Sequence, residues 1–225
     1  MAIDVETKDC TALSDSELEE LANLTAEHAY HFDIGVVSKQ RDSWVLCTMA
    51  RDGSKLKGFA FCTLERIGGT PCVLVGLAAI ARTTKRDTVL KALMTDLFRR
   101  AVLAFPDEDV LVGTRFSNAG GYEAFKTLHD IVPRPDHKAS GEERAWGRRL
   151  CKRFGIDAGN YDDRAFIAKG DGNPPVVFDH ESLKPEKIDP GFAAFFKTMK
   201  PKKGDVLIAF GWAKAEDLDR LMPPA

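Results

Sequence analysis

Residues 71–105 read PCVLVGLAAIARTTKRDTVLKALMTDLFRRAVLAF, and this stretch decides the fold. The unbroken run of small apolar residues from Cys72 to Ala81 predicts a strand that is buried on both faces. A polar, basic turn follows at 82–87, and the apolar spacing from Val89 to Val102 predicts an amphipathic helix. A buried strand that leads through a turn to a helix N-terminus is a common place for holding a phosphate.

The first turn of this helix carries residues that suit its position. Asp87 or Thr88 is predicted to cap the helix. Arg82, Lys85 and Arg86 surround the helix N-terminus with positive charge. These three are candidate phosphate ligands, although an ordinary solvated turn would carry the same residues.

Bulk composition sets the class of protein. The chain has 225 residues, 44% of them hydrophobic and 29% charged, which is typical of one large globular domain or of one domain with an appendage. Its net charge of -2 gives no reason to expect a nucleic-acid or membrane partner. No apolar run approaches the roughly 20 residues that span a bilayer. The N-terminal MAIDVETKDC lacks a signal-peptide core, so the expected location is the cytoplasm.

Cysteine and histidine spacing argues against a metal site. The five cysteines include no CxxC pair, which favours buried free thiols over disulfides or metal ligands. The five histidines show no HxH or HExxH spacing, so no metal site is predicted. There is also no GxSxG motif and no recognisable cysteine nucleophile.

The order of elements predicts an α+β fold. Strands at 44–50, 57–65 and 72–81 form an antiparallel meander, and the strand at 110–115 follows a helical crossover and is therefore predicted to be parallel to the third of them. A late strand is predicted at 205–212. The other predicted elements are a strand at 3–10, a helix that starts at a Ser16–Glu19 capping box and ends near His28, helices at 121–129, 142–154 and 191–198, and a helical turn at 215–222. These elements predict a central mixed sheet flanked by helices, since a Rossmann fold would need repeated βαβ units.

This order over residues 3–130 resembles the GNAT acyltransferase fold. In that family the turn before the central helix usually reads V-x-P-x-x-R-G-x-G-x-G/A. Aligned without a gap, Ile80 takes the Val place, Arg82 the Pro place and Lys85 the Arg place. The three small-residue places hold Arg86, Thr88 and Leu90, so every glycine is absent and cations stand around the same helix N-terminus.

The resemblance implies acetyl-CoA, or another acyl-CoA, as cosubstrate. The backbone of Ala78, Ala79 and Ile80 would align the pantetheine as an added strand. The pyrophosphate would lie at the start of the central helix. The residues implied there are Arg82, Lys85, Arg86, Asp87, Thr88, Val89 and Leu90.

A second match lies after the strand at 110–115. In the family, an Asn opens the next helix and an aromatic residue, commonly Tyr, follows seven positions later. Here Asn118 is followed by Phe125 at that spacing, and Tyr122 stands one turn earlier. The resemblance implies that Asn118 and Phe125 also belong to the cosubstrate-binding residues. Phe125 cannot protonate a departing thiolate, so Tyr122 is the candidate general acid. Glu65, near the end of the strand at 57–65 and beside the implied acyl site, is the candidate general base. A helix N-cap, a core tyrosine and a solvated strand end are the plainer interpretations of Asn118, Tyr122 and Glu65.

Two functions therefore stay open. The first is an acyl-CoA-dependent N-acyltransferase whose acceptor amine, on a small molecule or a peptide, attacks the thioester directly. The second is a GNAT-fold binding or regulatory protein without that chemistry, which the missing glycines and Phe125 favour. Either is compatible with a core at 1–130 and an extension at 131–225 that completes the sheet and serves substrate recognition or homodimer formation. The basic helix at 142–154 is either a charged face or a contact for the CoA 3′-phosphate or an acidic partner.

Overall fold

Ten strands form one mixed sheet in the computed structural model of the chain, which describes residues 3–28 and 30–221. The strands are β1 Asp4–Asp9, β2 Leu46–Asp52, β3 Lys55–Ile67, β4 Thr70–Ile80, β5 Val110–Phe116, β6 His129–Val132, β7 Tyr161–Asp162, β8 Ile167–Ala168, β9 Phe178–Asp179 and β10 Val206–Ala213. The α-helices are α1 Asp15–Leu24, α2 Ile34–Ser43, α3 Arg86–Ala104, α4 Gly141–Arg153, α5 Pro190–Phe195 and α6 Ala215–Asp219. Short 3-10 helices lie at Cys10–Ala12, Thr25–Glu27, Ala119–Phe125, Ala158–Asn160, Pro185–Lys187 and Pro201–Lys203.

The strand order is β1-β2-β3-β4-β5-β10-β8-β7, with β6 beside β10 and β9 beside β4. Neighbours are antiparallel, except that β4 is parallel to β5 and to β9. The predicted α+β class with a mixed sheet is therefore confirmed, and so is the parallel pairing of the strand at 110–115. A meander, a long helix and a parallel strand follow one another in the order that the GNAT resemblance implies. The predicted late strand is β10, which pairs with β5.

Helices on both faces of the sheet explain the unbroken apolar run of β4. On one face, Val89 and Leu93 of α3 pack so closely on β3 that a Cβ at Gly58 would meet both within 3.2 Å. On the other face, Leu150 of α4 packs in the same way on Gly113 of β5. All residues from Cys72 to Ile80 are buried, as a strand covered on both sides requires.

A bulge turns β4 away from β5 halfway along its length. β4 and β5 are paired only from Cys72 to Leu74, next to which the Thr114 hydroxyl donates to the Val75 carbonyl at 2.8 Å. Between the pairs Cys62↔Val75 and Ala60↔Ala78, two residues of β4 stand opposite one residue of β3. An extra residue of this kind bends and twists a strand, so β4 leaves β5 at this point.

Three local predictions are wrong. The capping box is formed by Ser14 and Glu17 instead of Ser16 and Glu19, because Lys8 also binds the Glu17 carboxylate at 2.7 Å and favours the earlier match. Asp87 and Thr88 do not cap α3, because the helix begins at Arg86 and both lie within its first turn. Its N-cap is Lys85, and no side chain in the described part of the chain caps it.

The third wrong prediction is the helix at 121–129. A 3-10 helix ends at Phe125, and the chain then forms β6, which pairs with β10. The Phe116 ring lies on Gly121 too closely to leave room for a Cβ, so this segment is held against the sheet. The predicted helical turn at 215–222 is α6, and Met222 lies outside the described residues.

None of the helices in residues 3–28 and 30–221 combines the length and the hydropathy needed to cross a membrane.

We expect Gly76→Ala to destabilise the fold, because a Cβ at this position of the bulge would lie 2.2 Å from the Trp44 ring. Overpacking of a rigid core site costs about 1–3 kcal/mol, which urea unfolding followed by circular dichroism would measure. Gly141→Ala is the matched control, since a Cβ there would meet no atom within 4 Å. Equal stability of both variants would contradict the close contact between Trp44 and β4.

Candidate functional site

The edge of β4 beyond the bulge is the centre of the candidate site. β3 pairs with one edge of β4 at Ala78 and Ala79, while β5 has already left the other edge. A strand edge presents unpaired N–H and C=O groups, which take a further extended segment. The opening lies directly before the turn that leads into α3.

Residues 176–184, which we call the strap, fill this opening. β9 within the strap pairs with β4 in parallel, with Phe178 opposite Ala78, and the Ala78 amide donates to the Val177 carbonyl at 3.1 Å. Val177 and Phe178 are fully buried, and the Phe178 ring meets the Phe116 ring edge-on at 6.2 Å between centroids. The strap is therefore an added strand and part of the core.

Beyond β9 the strap crosses the N-terminus of α3. The Arg82 guanidinium lies 3.1 Å from the Glu181 carboxylate, and Arg86 donates to the Ser182 carbonyl at 3.3 Å. The Ser182 hydroxyl donates to the Glu123 carboxylate at 2.6 Å. Two of the three cations around this helix terminus, Arg82 and Arg86, are thus bound to oxygens of the strap.

The donor-binding residues predicted from sequence fall into two groups. Ala78, Ala79, Arg82, Arg86 and Asp87 lie against the strap, and Ile80 is the buried last residue of β4. The others point elsewhere. Lys85 pairs with Asp52 at 2.6 Å, and Thr88 is exposed. Val89 and Leu90 are on the buried face of α3 itself. Their role in binding CoA stays a prediction.

His180 of the strap is buried between two carboxylates. Its side chain is fully buried, its Nε2 lies 3.7 Å from Asp87 Oδ1, and neither ring nitrogen has a hydrogen-bond partner in the described part of the chain. Burial lowers the pKa of His180, so the ring is neutral. Ligand atoms of Asp87, Glu123 and His180 all lie within 4.8 Å of one another, so these three side chains could hold a metal ion together. The predicted absence of a metal stays a prediction.

The opening at the edge of β4 that the strap fills is called the groove below. Tyr122 lies near it in an aromatic cluster, since the Phe116 ring contacts both Tyr122 and Phe178. Its ring packs on Phe192 at 4.3 Å, and its hydroxyl donates to the Pro133 carbonyl at 3.3 Å. Burial raises the pKa of Tyr122 well above its ordinary value, so the hydroxyl keeps its proton at neutral pH. Such a group can donate a proton, and the assignment of Tyr122 as general acid stays a prediction.

Asn118 and Phe125 have structural contacts of their own. The Asn118 side chain accepts from the Gly120 amide at 2.8 Å, which is the capping role considered for it. The Phe125 ring meets the Phe116 ring edge-on at 5.1 Å, so it packs on the same residue as Phe178.

The structure separates Glu65 from the groove. Glu65 accepts from Arg153 at 2.6 Å and stands opposite Cys72, six residues before Ala78 along β4. At about 3.3 Å per residue the two ends of this stretch are roughly 20 Å apart. A carboxylate there is beside α4, so its assignment as general base depends on a substrate that reaches that far.

Sequence reasoning missed the strap. The run Val176-Val177-Phe178 indicates a short strand, but period and composition say nothing about its partner in β4, where Ala78 precedes Phe178 by 100 residues. His180 and Ser182 carry no motif that ties them to Glu123 or to α3. The acidic Glu181 beside a basic turn was the one available signal, and it is a weak one.

We expect Phe178→Ala to release the strap from β4. The substitution removes a fully buried ring, which costs about 3–5 kcal/mol in a core, and the Ala78 amide should then exchange with solvent far faster than other β4 amides. Hydrogen exchange followed by NMR would measure this rate. Phe166→Ala is the control, because Phe166 is equally buried but packs on Phe210 of β10. Equal exchange of Ala78 in both variants would contradict a separable strap.

Similarity to known proteins is found among solved structures, at low identity. No model of a known protein family matches the chain. No curated protein matches its sequence. Among solved structures, the ribosomal-protein-S18-alanine N-acetyltransferase from Escherichia coli is 12% identical with a TM-score of 0.42, covering 62% of this chain and 86% of that one. An aminoglycoside 6'-acetyltransferase type Ii is 14% identical with a TM-score of 0.42, covering 58% and 87%. A GNAT-family acetyltransferase from Bacillus cereus is 14% identical with a TM-score of 0.40, covering 60% and 90%.

Proposed function

We propose that this chain is an acyl-CoA-dependent N-acyltransferase whose donor groove is closed by the strap. One observation carries the proposal. The edge of β4 that β5 leaves pairs at Ala78 with the extended backbone of the strap, and the adjacent Arg82 and Arg86 bind oxygen atoms of the strap. Acyl-CoA offers the same features in the same order, with pantetheine amides followed by a pyrophosphate. The strap thus occupies the place that the GNAT resemblance assigns to the donor.

The proposed reaction needs positioning more than a strong catalytic group. An acceptor amine attacks the thioester carbonyl, the C–S bond breaks, and the amine's surplus proton is lost as the thiolate gains one. Holding both reactants against a rigid sheet supplies much of the rate, and backbone amides of β4 can stabilise the developing oxyanion. Tyr122 is a group in this region that is protonated at neutral pH and can give a proton to the thiolate.

The strap sets a condition on this activity. Because Val177 and Phe178 are buried and paired with β4, acyl-CoA binds only when the strap leaves. The apparent affinity of the free protein is therefore reduced by the fraction of molecules that are open. A weak measured affinity and a competent groove are compatible.

A second candidate function is a binding or regulatory protein with no acyl transfer. The observation that favours it is the depth of the strap: Val177, Phe178 and His180 are at most 1% exposed. The turn at 82–90 also has no glycine, and Phe125 stands where the family has a tyrosine. In this case the strap is a permanent strand of the sheet.

Calorimetric titration with acetyl-CoA and CoA tests the first candidate. We expect Arg86→Glu to weaken binding at least about tenfold, since it removes a charged hydrogen-bond donor and adds repulsion. Lys91→Glu, on an exposed position one turn further along α3, changes the same charge and should bind as the unchanged protein does. Equal losses of affinity in the two variants would mean that CoA responds to the overall surface charge and that Arg86 does not bind it directly.

The titration is repeated with Phe178→Ala, whose strap is expected to be open. Tighter binding in this variant than in the unchanged chain supports a strap that competes with the donor. No binding to either protein at millimolar acetyl-CoA rejects acyl transfer and leaves the second candidate.

A further inference from the structure

Arg115 lies in a cavity beside the groove, on the α4 side of the sheet. It is the penultimate residue of β5 and is 9% exposed. The cavity has a volume of about 440 Å³, within the range of small-molecule sites. Its lining consists of Gln40, Ser43, Trp44, Arg115, Arg153, Phe154, Gly155 and Val176.

Among the side chains that the structure describes, no acidic group balances the Arg115 guanidinium. Its close neighbour is the Phe154 ring, 4.7 Å from Cζ, and its buried Nε has no hydrogen-bond partner there. Burial lowers the pKa of Arg115 to about 10, with no nearby charge contributing. A buried charge without a partner is expensive to keep in a fold.

The other polar groups of the cavity are suited to a single negative charge. Arg153 is already neutralised by Glu65 at 2.6 Å, so Arg115 leaves one positive charge in excess. The Gln40 side-chain oxygen accepts from the Trp44 indole at 3.2 Å, which leaves the Gln40 amide NH₂ as a donor. A guanidinium and an amide donor match a planar carboxylate, whereas a phosphate dianion would exceed the available charge.

The cavity is next to the donor position. Val176 lines it, and the next residue, Val177, accepts the hydrogen bond from Ala78 of β4. A small molecule held at Arg115 by one end therefore has its other end near the edge of β4 where the thioester is proposed to lie.

We propose that Arg115 binds the carboxylate of a small acceptor, so that the substrate class is a carboxylate-bearing amine such as a free amino acid. The amine half of this proposal rests on the proposed function, whereas the carboxylate half stands on the cavity alone. Arg115 is then a substrate-binding residue that selects among amines by their charge.

The test uses the full chain and needs no acyl-CoA. The twenty free amino acids, their carboxamides and inorganic phosphate are screened by thermal shift up to 10 mM (about ten thousand times a micromolar Kd), and hits are titrated by calorimetry. We expect at least one free amino acid to bind and its carboxamide to bind at least about tenfold more weakly. Preferential binding of phosphate would overturn the carboxylate assignment, and no binding of any anion would overturn the site.

Two variants separate ligand binding from a structural role. Arg115→Met should abolish the carboxylate effect while leaving the melting temperature of the free protein unchanged or higher, because an unbalanced buried charge is removed. Arg149→Met is the control, since Arg149 also stacks on an aromatic ring, Trp146 at 4.7 Å, but is exposed and outside the cavity. Retained carboxylate binding in Arg115→Met, or a large loss of its stability, would overturn the proposal.

Because this readout is binding of the acceptor alone, its failure is distinct from failure of the donor titration. Carboxylate binding without acetyl-CoA binding would leave Arg115 as a ligand site in a protein of the second candidate function. Acetyl-CoA binding without carboxylate binding would retain acyl transfer and reject Arg115 as its acceptor residue.

Discussion

The hydrogen bonds of β4 beyond its bulge are the constraint on which the rest of this structure depends. A strand covered by helices on both faces has no access to water, so its backbone groups need partners within the protein. β5 satisfies them as far as Leu74, and the bulge at Gly76 and Leu77 then carries β4 out of its reach. A further extended segment is required at Ala78, and in this structure the strap provides it.

The same constraint links the turn before α3 to the strap. A glycine-rich turn would present backbone amides to an anion, but this turn has side-chain cations instead. Side chains reach further than amides and adapt to the position of their partner. Arg82 and Arg86 therefore bind two different oxygens of the strap, while Lys85 turns back to Asp52 of β2. The site is defined by charge and reach more than by a rigid backbone shape.

Much of this fold follows from local sequence. The apolar run of β4 and the spacing of α3 are strong because burial on both faces and a 3.6-residue period leave few alternatives. The prediction of a helix at 121–129 was wrong because close packing of Gly121 against the Phe116 ring overrides the helix-like composition of this segment. The candidate site was harder to predict. Arg115 is the one charged residue of β5, and its sequence neighbours do not reveal that it lies in a cavity lined by no acidic residue. The strap's partner was beyond reach for the same reason, since pairing over such a distance leaves no local pattern.

The strap is attached at both ends, to β8 before it and to β10 after it, and this makes it a tethered competitor for its own groove. A tethered segment acts at an effective concentration that is in the millimolar range for short flexible connections and does not fall on dilution. Displacement therefore depends on the concentration of the incoming ligand and is independent of the concentration of the protein. A second partner that captured the displaced strap would lower this effective concentration to zero and so raise the affinity of the groove without touching it.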